Sequence, residues 1–133
     1  MHKKIAIVGS RRVSEYGRLV IKNLMLTLKD RVEVVTIEVS GCNKEVMKYS
    51  EVKVFSGVNF EKLNEEVAEY ADSLVIVEGG KNSGTILLAS KFVEKNKEVW
   101  VVPGRIFDEG SYVANFLIKN GANILVDVSD LTA

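Results

Sequence analysis

Short, wholly apolar runs alternate with stretches of helical periodicity from one end of the chain to the other. Ile5–Val8, Leu74–Val77 and Val99–Val102 are apolar at every position. A strand with one wet face alternates apolar with polar residues, so these runs predict strands covered on both faces. The β-branched stretch Val32–Val39 predicts another, and Val52–Phe55 and Asn123–Val126 predict weaker ones. Amphipathic segments lie between. A helix is predicted from Ser14, a suitable N-cap, to about Lys29, with Val20, Leu24 and Leu28 on one face. Asn43–Tyr49 allows two turns. Asn59 should cap a helix carrying Phe60, Leu63, Val67 and Tyr70 at helical spacing. Ser83 should cap another through about Lys95, with Leu88, Phe92 and Val93 inward, and a last helix over Tyr112–Lys119 should stop at Asn120-Gly121.

Strands apolar on both faces and separated by helices predict an α/β fold: a doubly wound, mainly parallel sheet flanked by helices, in three layers. Right-handed crossovers then make the first and fourth strands neighbours, in the Rossmann-like order 3-2-1-4-5-6. One domain is expected over residues 1–133. The crevice outside the carboxyl ends of those two central strands is the expected ligand site. Gly9-Ser10-Arg11, Gly79-Gly80, Ser83-Gly84-Thr85 and Pro103-Gly104-Arg105 all follow strands, so the topology gathers them along one rim.

Composition narrows the classes. The 18 basic and 18 acidic residues balance, so any hold on nucleic acid must come from a local patch rather than a long-range field. The one cysteine, Cys42, has no partner for an internal disulfide and no metal-ligand companion, which makes an ordinary thiol in a reducing, cytoplasmic setting the expectation. No apolar run approaches the ~20 residues that cross a bilayer, so no membrane partner is expected. His2 lies in a terminal tail and is expected to be solvated.

The chemistry available at the rim is anion binding. Glycine lets backbone N–H groups approach a phosphate, and a helix N-terminus adds a partial positive charge. The expected ligand-binding residues are Gly9, Ser10, Arg11, Gly79, Gly80, Ser83, Gly84, Thr85, Pro103 and Gly104, with no metal site and no catalytic residue. No Gly-x-Gly-x-x-Gly follows the first strand and no Walker A loop is present, so no cofactor is required, although a nucleotide would suit the loops. Glu38 is more simply a solvated strand end than a ribose ligand. Trp100 is expected in the core of a central strand, and Lys91, Lys95 and Lys97 on a solvated helix face. Arg11, Arg12 and Arg18 are expected to form a basic edge.

Lys4–Arg11, with Tyr16-Gly17 behind it, resembles the opening of the Rossmann domain of the DprA/Smf DNA-processing proteins. Leu74–Ala89, where a strand ends in Val-Glu-Gly and Ser-Gly-Thr opens a helix, is similar to the same family. So are Val101-Val102-Pro103-Gly104 and the segment Asn115–Ala122. The resemblance implies a module that binds single-stranded DNA and dimerises. The middle of the chain departs from that pattern. Gly41-Cys42-Asn43 and Val46-Met47 stand where the family carries Gly-x-Asp and Ala-His, and Leu63-Asn64-Glu65 stands at its Arg-Asn-Arg stretch. With Glu61, Glu65, Glu66, Glu69 and Asp72 around it, this acidic segment is expected to weaken single-stranded DNA binding.

The related LOG-type phosphoribohydrolases place a catalytic glutamate where this chain has Leu88. A leucine cannot serve as a base, so hydrolysis by that route is not expected. The expected function is a DprA/Smf-like binding module for a nucleotide, phosphate or single-stranded nucleic acid, with a homo-oligomer as a further partner. A nucleotide-processing enzyme, or a partner-binding subunit with a relic loop, is the alternative.

Overall fold

The computed structural model describes residues 3–39, 41–49 and 51–132, so His2 lies outside the described residues. In chain order the elements are β1 (Lys3–Val8), α1 (Glu15–Leu28), β2 (Val32–Ile37), α2 (Cys42–Met47), β3 (Val52–Phe55), α3 (Phe60–Tyr70), β4 (Ser73–Ile76), α4 (Thr85–Glu94), β5 (Glu98–Val101), α5 (Tyr112–Lys119) and β6 (Asn123–Ile124). The six strands form one parallel sheet in the order β3-β2-β1-β4-β5-β6, the order expected from the sequence.

The strand pleat explains why the central runs are wholly apolar. Successive side chains point to opposite faces. Ala6, Val8, Leu74 and Ile76 therefore meet the layer of α3, α4 and α5, through Leu63, Val67, Leu88, Phe92 and Val113. Ile5, Ile7 and Val75 meet the layer of α1 and α2, through Ile21, Leu24, Leu28 and Val46. Each of these strand residues is fully buried or nearly so. Thr36, a buried polar residue in β2, donates its hydroxyl to the Ile7 carbonyl at 2.7 Å and is thereby satisfied.

Several sequence expectations are corrected at the ends of elements. Val93 is exposed rather than inward, because Leu88, Ala89 and Phe92 already fill the buried stripe of α4. Val20 is only half-buried, with Ile21, Leu24, Met25 and Leu28 forming the buried face of α1. The last strand holds two residues instead of four. It pairs on one side only, and the Asp127 capping box starts a 3-10 turn close behind it. Trp100 lies on β5, next to the outermost strand, and is half-buried against the α1 layer. Among the described residues no helix is long and apolar enough to cross a membrane.

Candidate functional site

The parallel register brings the carboxyl ends of β1 and β4 side by side, with Val8 paired to Ile76. A cavity of about 800 Å³ opens outside them. Gly9–Ser14 line it from the β1–α1 loop, Ile37 and Val39 from β2 and its end, and Phe60 and Asn64 from α3. Glu78, Gly80–Thr85, Leu87 and Leu88 line it from the β4–α4 segment, and Glu109 and Gly110 from the loop before α5. Of the residues expected from sequence, the structure gathers Gly9, Ser10, Arg11, Gly80, Ser83, Gly84 and Thr85 around this one space. Gly79, Pro103 and Gly104 do not line it. Pro103 and Gly104 are exposed beyond it, and Gly104 accepts from and donates toward the Asn115 side chain.

The first loop is held by bonds that sequence reading missed. Buried Asn43 accepts from Gly9 N–H at 2.9 Å and donates to the Ile37 carbonyl at 3.0 Å, tying β1 to the end of β2. Ser10 N–H donates to the Glu78 carbonyl, and the Ser10 hydroxyl donates to the Arg12 carbonyl at 2.6 Å. Ser14 donates to the Glu78 carboxylate twice, from its N–H at 2.8 Å and its hydroxyl at 2.6 Å. The same Ser14 oxygen accepts from Gly17 N–H and caps α1. A negative group therefore already sits at the N-terminus of α1, where the helix dipole favours it. Gly17 makes room: a Cβ there would lie 2.4 Å from Glu78 Oε1.

At the β4–α4 segment the arrangement differs. Gly79 N–H donates to the Gly110 carbonyl and the Gly79 carbonyl accepts from Val113 N–H, so this glycine is a packing joint rather than an anion ligand. The N-cap of α4 is Gly84, not Ser83 as expected, and it supplies no side-chain cap. The Ser83 hydroxyl reaches Thr85 N–H only at 3.3 Å and Thr85 Oγ1 at 2.9 Å. Charge follows the same division. Arg11, Arg12 and Lys81 are exposed on the cavity, and among the described residues none of them makes an ion pair. Arg18 leaves the expected basic edge, because it pairs with Glu45 at 3.2 Å. Lys48 and Arg18 together hold the Glu45 carboxyl below its usual range, the Lys48 bond contributing most.

Two further expectations change. The acidic residues of α3 do not face the crevice: Glu61, Glu65, Glu66 and Glu69 line a separate cavity, with Lys4, Lys53 and Tyr70, on the other side of the helix. Lys91 and Lys95 are not a free solvated face. They pair with Glu65 at 3.5 and 2.6 Å, Lys95 also reaches Glu69 at 3.2 Å, and Lys97 donates to the carbonyls of Ala68 and Glu69. The expected repulsion of a polyanion by α3 thus loses its geometric premise.

Cys42 lies buried beneath Gly9, and burial, followed by the Glu78 charge, pushes its thiol up to about 12. It is protonated at neutral pH and no nucleophile. Glu38 is exposed and does not line the cavity. Leu88 does line it and is buried. No group of three or more His, Cys, Asp or Glu among the described residues could hold a metal ion.

Comparison with known proteins gives a consistent assignment. Smf of Escherichia coli K12 is 29% identical over 73 residues, which span 55% of this chain and 20% of that protein; the match thus covers a fifth of the relative's length. DNA processing protein A of Helicobacter pylori, solved for its single-stranded DNA binding mode, superposes over 97% of this chain and 78% of its own with a TM-score of 0.83 at 18% identity. DprA of Streptococcus pneumoniae superposes over 98% of this chain and 61% of its own, with a TM-score of 0.85 at 19% identity. At such identities these two likenesses establish the fold. The sequence profile of the family described as DNA recombination-mediator protein A matches residues 43–133, well over half of the chain. By that match, and with the strand order and rim loops above, the chain belongs to the DNA recombination-mediator protein A family, the DprA/Smf proteins.

Proposed function

We propose that the chain binds single-stranded DNA through the crevice between β1 and β4, as a phosphate-binding module. The observation that carries this reading is the distribution of charge. Three exposed cations, Arg11, Arg12 and Lys81, face a cavity whose acids among the described residues are Glu78 and Glu109, and Glu78 is engaged by Ser14. Three of the sequence's 18 basic residues thus make the local patch that a chain of zero net charge needs. The helical anion position open to a phosphate is the start of α4, with Ser83, Gly84 and Thr85, while the β1–α1 loop contributes through its arginine side chains. The DNA binding named for the Helicobacter pylori relative supports the choice of a strand over a free anion.

A mononucleotide is the second reading, favoured by the cavity volume of about 800 Å³, which would enclose one. Buried Leu88 supports binding rather than glycoside hydrolysis in either case.

The test is fluorescence anisotropy with labelled oligo-dT at low and moderate salt, run on wild type and Arg11→Ala. Affinity should fall as salt rises, and the variant should bind several-fold more weakly. Its log–log salt slope should be shallower by about 0.7, the loss of one single-strand phosphate contact. The absence of binding at low salt, together with no thermal stabilisation by phosphate or nucleotides, would remove the proposal.

A further inference from the structure

Helix α1 carries more apolar residues than its packing uses. Its buried face is Gly17, Ile21, Leu24, Met25 and Leu28. At about 100° per residue, Tyr16, Leu19, Asn23 and Leu26 point away from that face. A surface helix is expected to carry charge there, as α3 does with Glu61, Lys62, Glu66 and Glu69 exposed. In α1 three apolar side chains meet solvent instead: Tyr16 is 58% exposed, Leu19 55% and Leu26 53%. The four positions are spaced by three, four and three residues, the a/d repeat by which one helix packs along another. Asn23 holds the second a position. Its amide nitrogen donates back to the Leu19 carbonyl at 2.9 Å, and its Oδ1 accepts nothing among the described residues. One flank of the seam, the g positions, holds Glu15 at the helix start and then Lys22 and Lys29. Both lysines are exposed, and neither makes an ion pair among the described residues. The other flank, Val20 and Thr27, is uncharged.

We propose that the outer face of α1 is a docking seam for an amphipathic helix of a partner protein, one whose apolar stripe is flanked by acidic residues. The fold already holds α1 helical, so docking carries no nucleation cost on this side. Apolar anchors at a/d spacing fit a facing helix, and the free Asn23 oxygen fits a donor that a partner side chain can supply and a lipid chain cannot. Charge selects the partner. In such packing the g residues meet the e or g residues of the facing helix, so Lys22 and Lys29 call for carboxylates there. A second copy of α1 does not supply them. Set parallel, it places Thr27 opposite Lys22. Set antiparallel about the centre of the seam, it places Glu15 near Lys29 but Lys22 against Lys22, a like-charge contact. The seam is only two heptads long, so docking belongs to the weak, reversible class. None of its four residues lines the crevice, so it stands apart from the DNA-binding reading.

The experiment titrates two labelled synthetic helical peptides against the full chain by fluorescence anisotropy, at low and moderate salt. Both carry leucine at the a and d positions apart from one central asparagine. One has glutamate at every e and g position and the other has lysine, which also keeps each peptide from pairing with itself. Wild type should bind the glutamate peptide about tenfold more tightly than the lysine peptide, the effect of turning two exposed charge pairs from attraction to repulsion. The preference should shrink as salt rises. Leu19→Ser/Leu26→Ser should lose the glutamate peptide while its melting temperature and oligo-dT affinity stay near those of wild type, because both leucines are exposed and outside the crevice. Lys22→Glu/Lys29→Glu should reverse the preference in favour of the lysine peptide, a gain that damage to the fold would not produce. Equal binding of the two peptides by wild type, or no binding of the glutamate peptide at low salt, would overturn the proposal. A wild-type dimer in sedimentation equilibrium that Leu19→Ser/Leu26→Ser abolishes would assign the seam to a second copy and overturn the acidic partner.

Discussion

Two loops meet across the crevice, and their sequences look alike: small residues after a strand, then a helix. Their structures are opposite in kind. In the β1–α1 loop and the first turn of α1 the N–H groups of Gly9, Ser10, Ser14 and Gly17 all donate within the protein, to Asn43, Glu78, Glu78 and Ser14. At the start of α4 the N-cap is a glycine without a side-chain acceptor, and nothing lies within 4 Å of where its Cβ would be. The first loop is tied down at these four N–H groups, and the start of α4, where Thr85 N–H meets only the Ser83 hydroxyl at 3.3 Å, is the more open end. A glycine after a strand therefore indicates close backbone approach, but whether the approaching atom belongs to a ligand or to the protein depends on residues far away in sequence.

The largest effect should come from the closed side. Gly41 has φ +80° and ψ −130°, and a Cβ there would lie 2.2 Å from the backbone carbon and oxygen of Arg11. Backbone atoms cannot swing aside as a side-chain tip can. Gly41→Ala should lose about 3 kcal/mol or more, from the disfavoured conformation plus the collision. Urea denaturation checks this, and a variant within about half a kcal/mol of wild type would show the loop to be looser than described.

Cys42 gives a pH-dependent measure of the same joint. Its thiol keeps its proton in the fold up to about 12, against an ordinary value of 9.0. Above pH 9 the unfolded chain releases that proton and the folded chain does not, so the unfolded state binds fewer protons and stability falls as pH rises. The loss attributable to Cys42 should be about 3 kcal/mol by pH 11, since each pH unit climbed between the unfolded and folded values costs about 1.36 kcal/mol. It is absent at neutral pH and builds only above the ordinary value. The difference between wild type and Cys42→Ala, followed by urea midpoints from pH 8 to 11, isolates it from the lysines and tyrosines. Parallel curves for the two proteins would mean that the thiol is not held in the closed joint.

Glu78→Gln tests whether the carboxylate at α1 belongs to the fold or competes with the ligand. A glutamine oxygen can accept from one Ser14 donor, but its amide nitrogen cannot accept from the other. Stability should drop by about 1–2 kcal/mol, the worth of a charge-assisted bond at a helix start. Binding of oligo-dT should rise a few-fold, because a negative charge leaves the crevice. Weaker binding in this variant would assign Glu78 to positioning Arg11 and Arg12 rather than to opposing the anion.

The sheet order and most elements were legible because their signals are local. Val52–Phe55 and Tyr112–Lys119 occur as expected, and Ser14 and Asn59 cap their helices. Seven of the ten expected rim residues line one cavity, since strand order alone carries them there. What escaped was long-range. Ser14 and Glu78 are 64 residues apart, and Gly9 and Asn43 are 34 apart, so no periodicity records either pair. The orientation of α3 was recoverable. Phe60 and Asn64 are four apart, as are Glu61, Glu65 and Glu69, and these two stripes lie on different faces of a helix. Counting the acids as a cluster concealed that the crevice sees only the first stripe.

The smallest expected effect is the most direct test of the open end. Gly84 has φ −77° and ψ 0°, a right-handed conformation that any L-residue adopts, and an added Cβ would meet open space. Replacing it with alanine removes conformational freedom from the unfolded chain without a collision in the fold. Gly84→Ala should therefore leave stability within about half a kcal/mol of wild type or raise it slightly. The backbone N–H groups at the start of α4 are unchanged, but a methyl group now projects where a phosphate oxygen would approach. Oligo-dT affinity should fall a few-fold while the urea midpoint holds. That split, binding lost with fold retained, is what separates an open anion end from a packing joint. If both quantities hold, the phosphate contacts must come from the arginine side of the crevice alone, and the contrast between the two loops would describe folding rather than recognition.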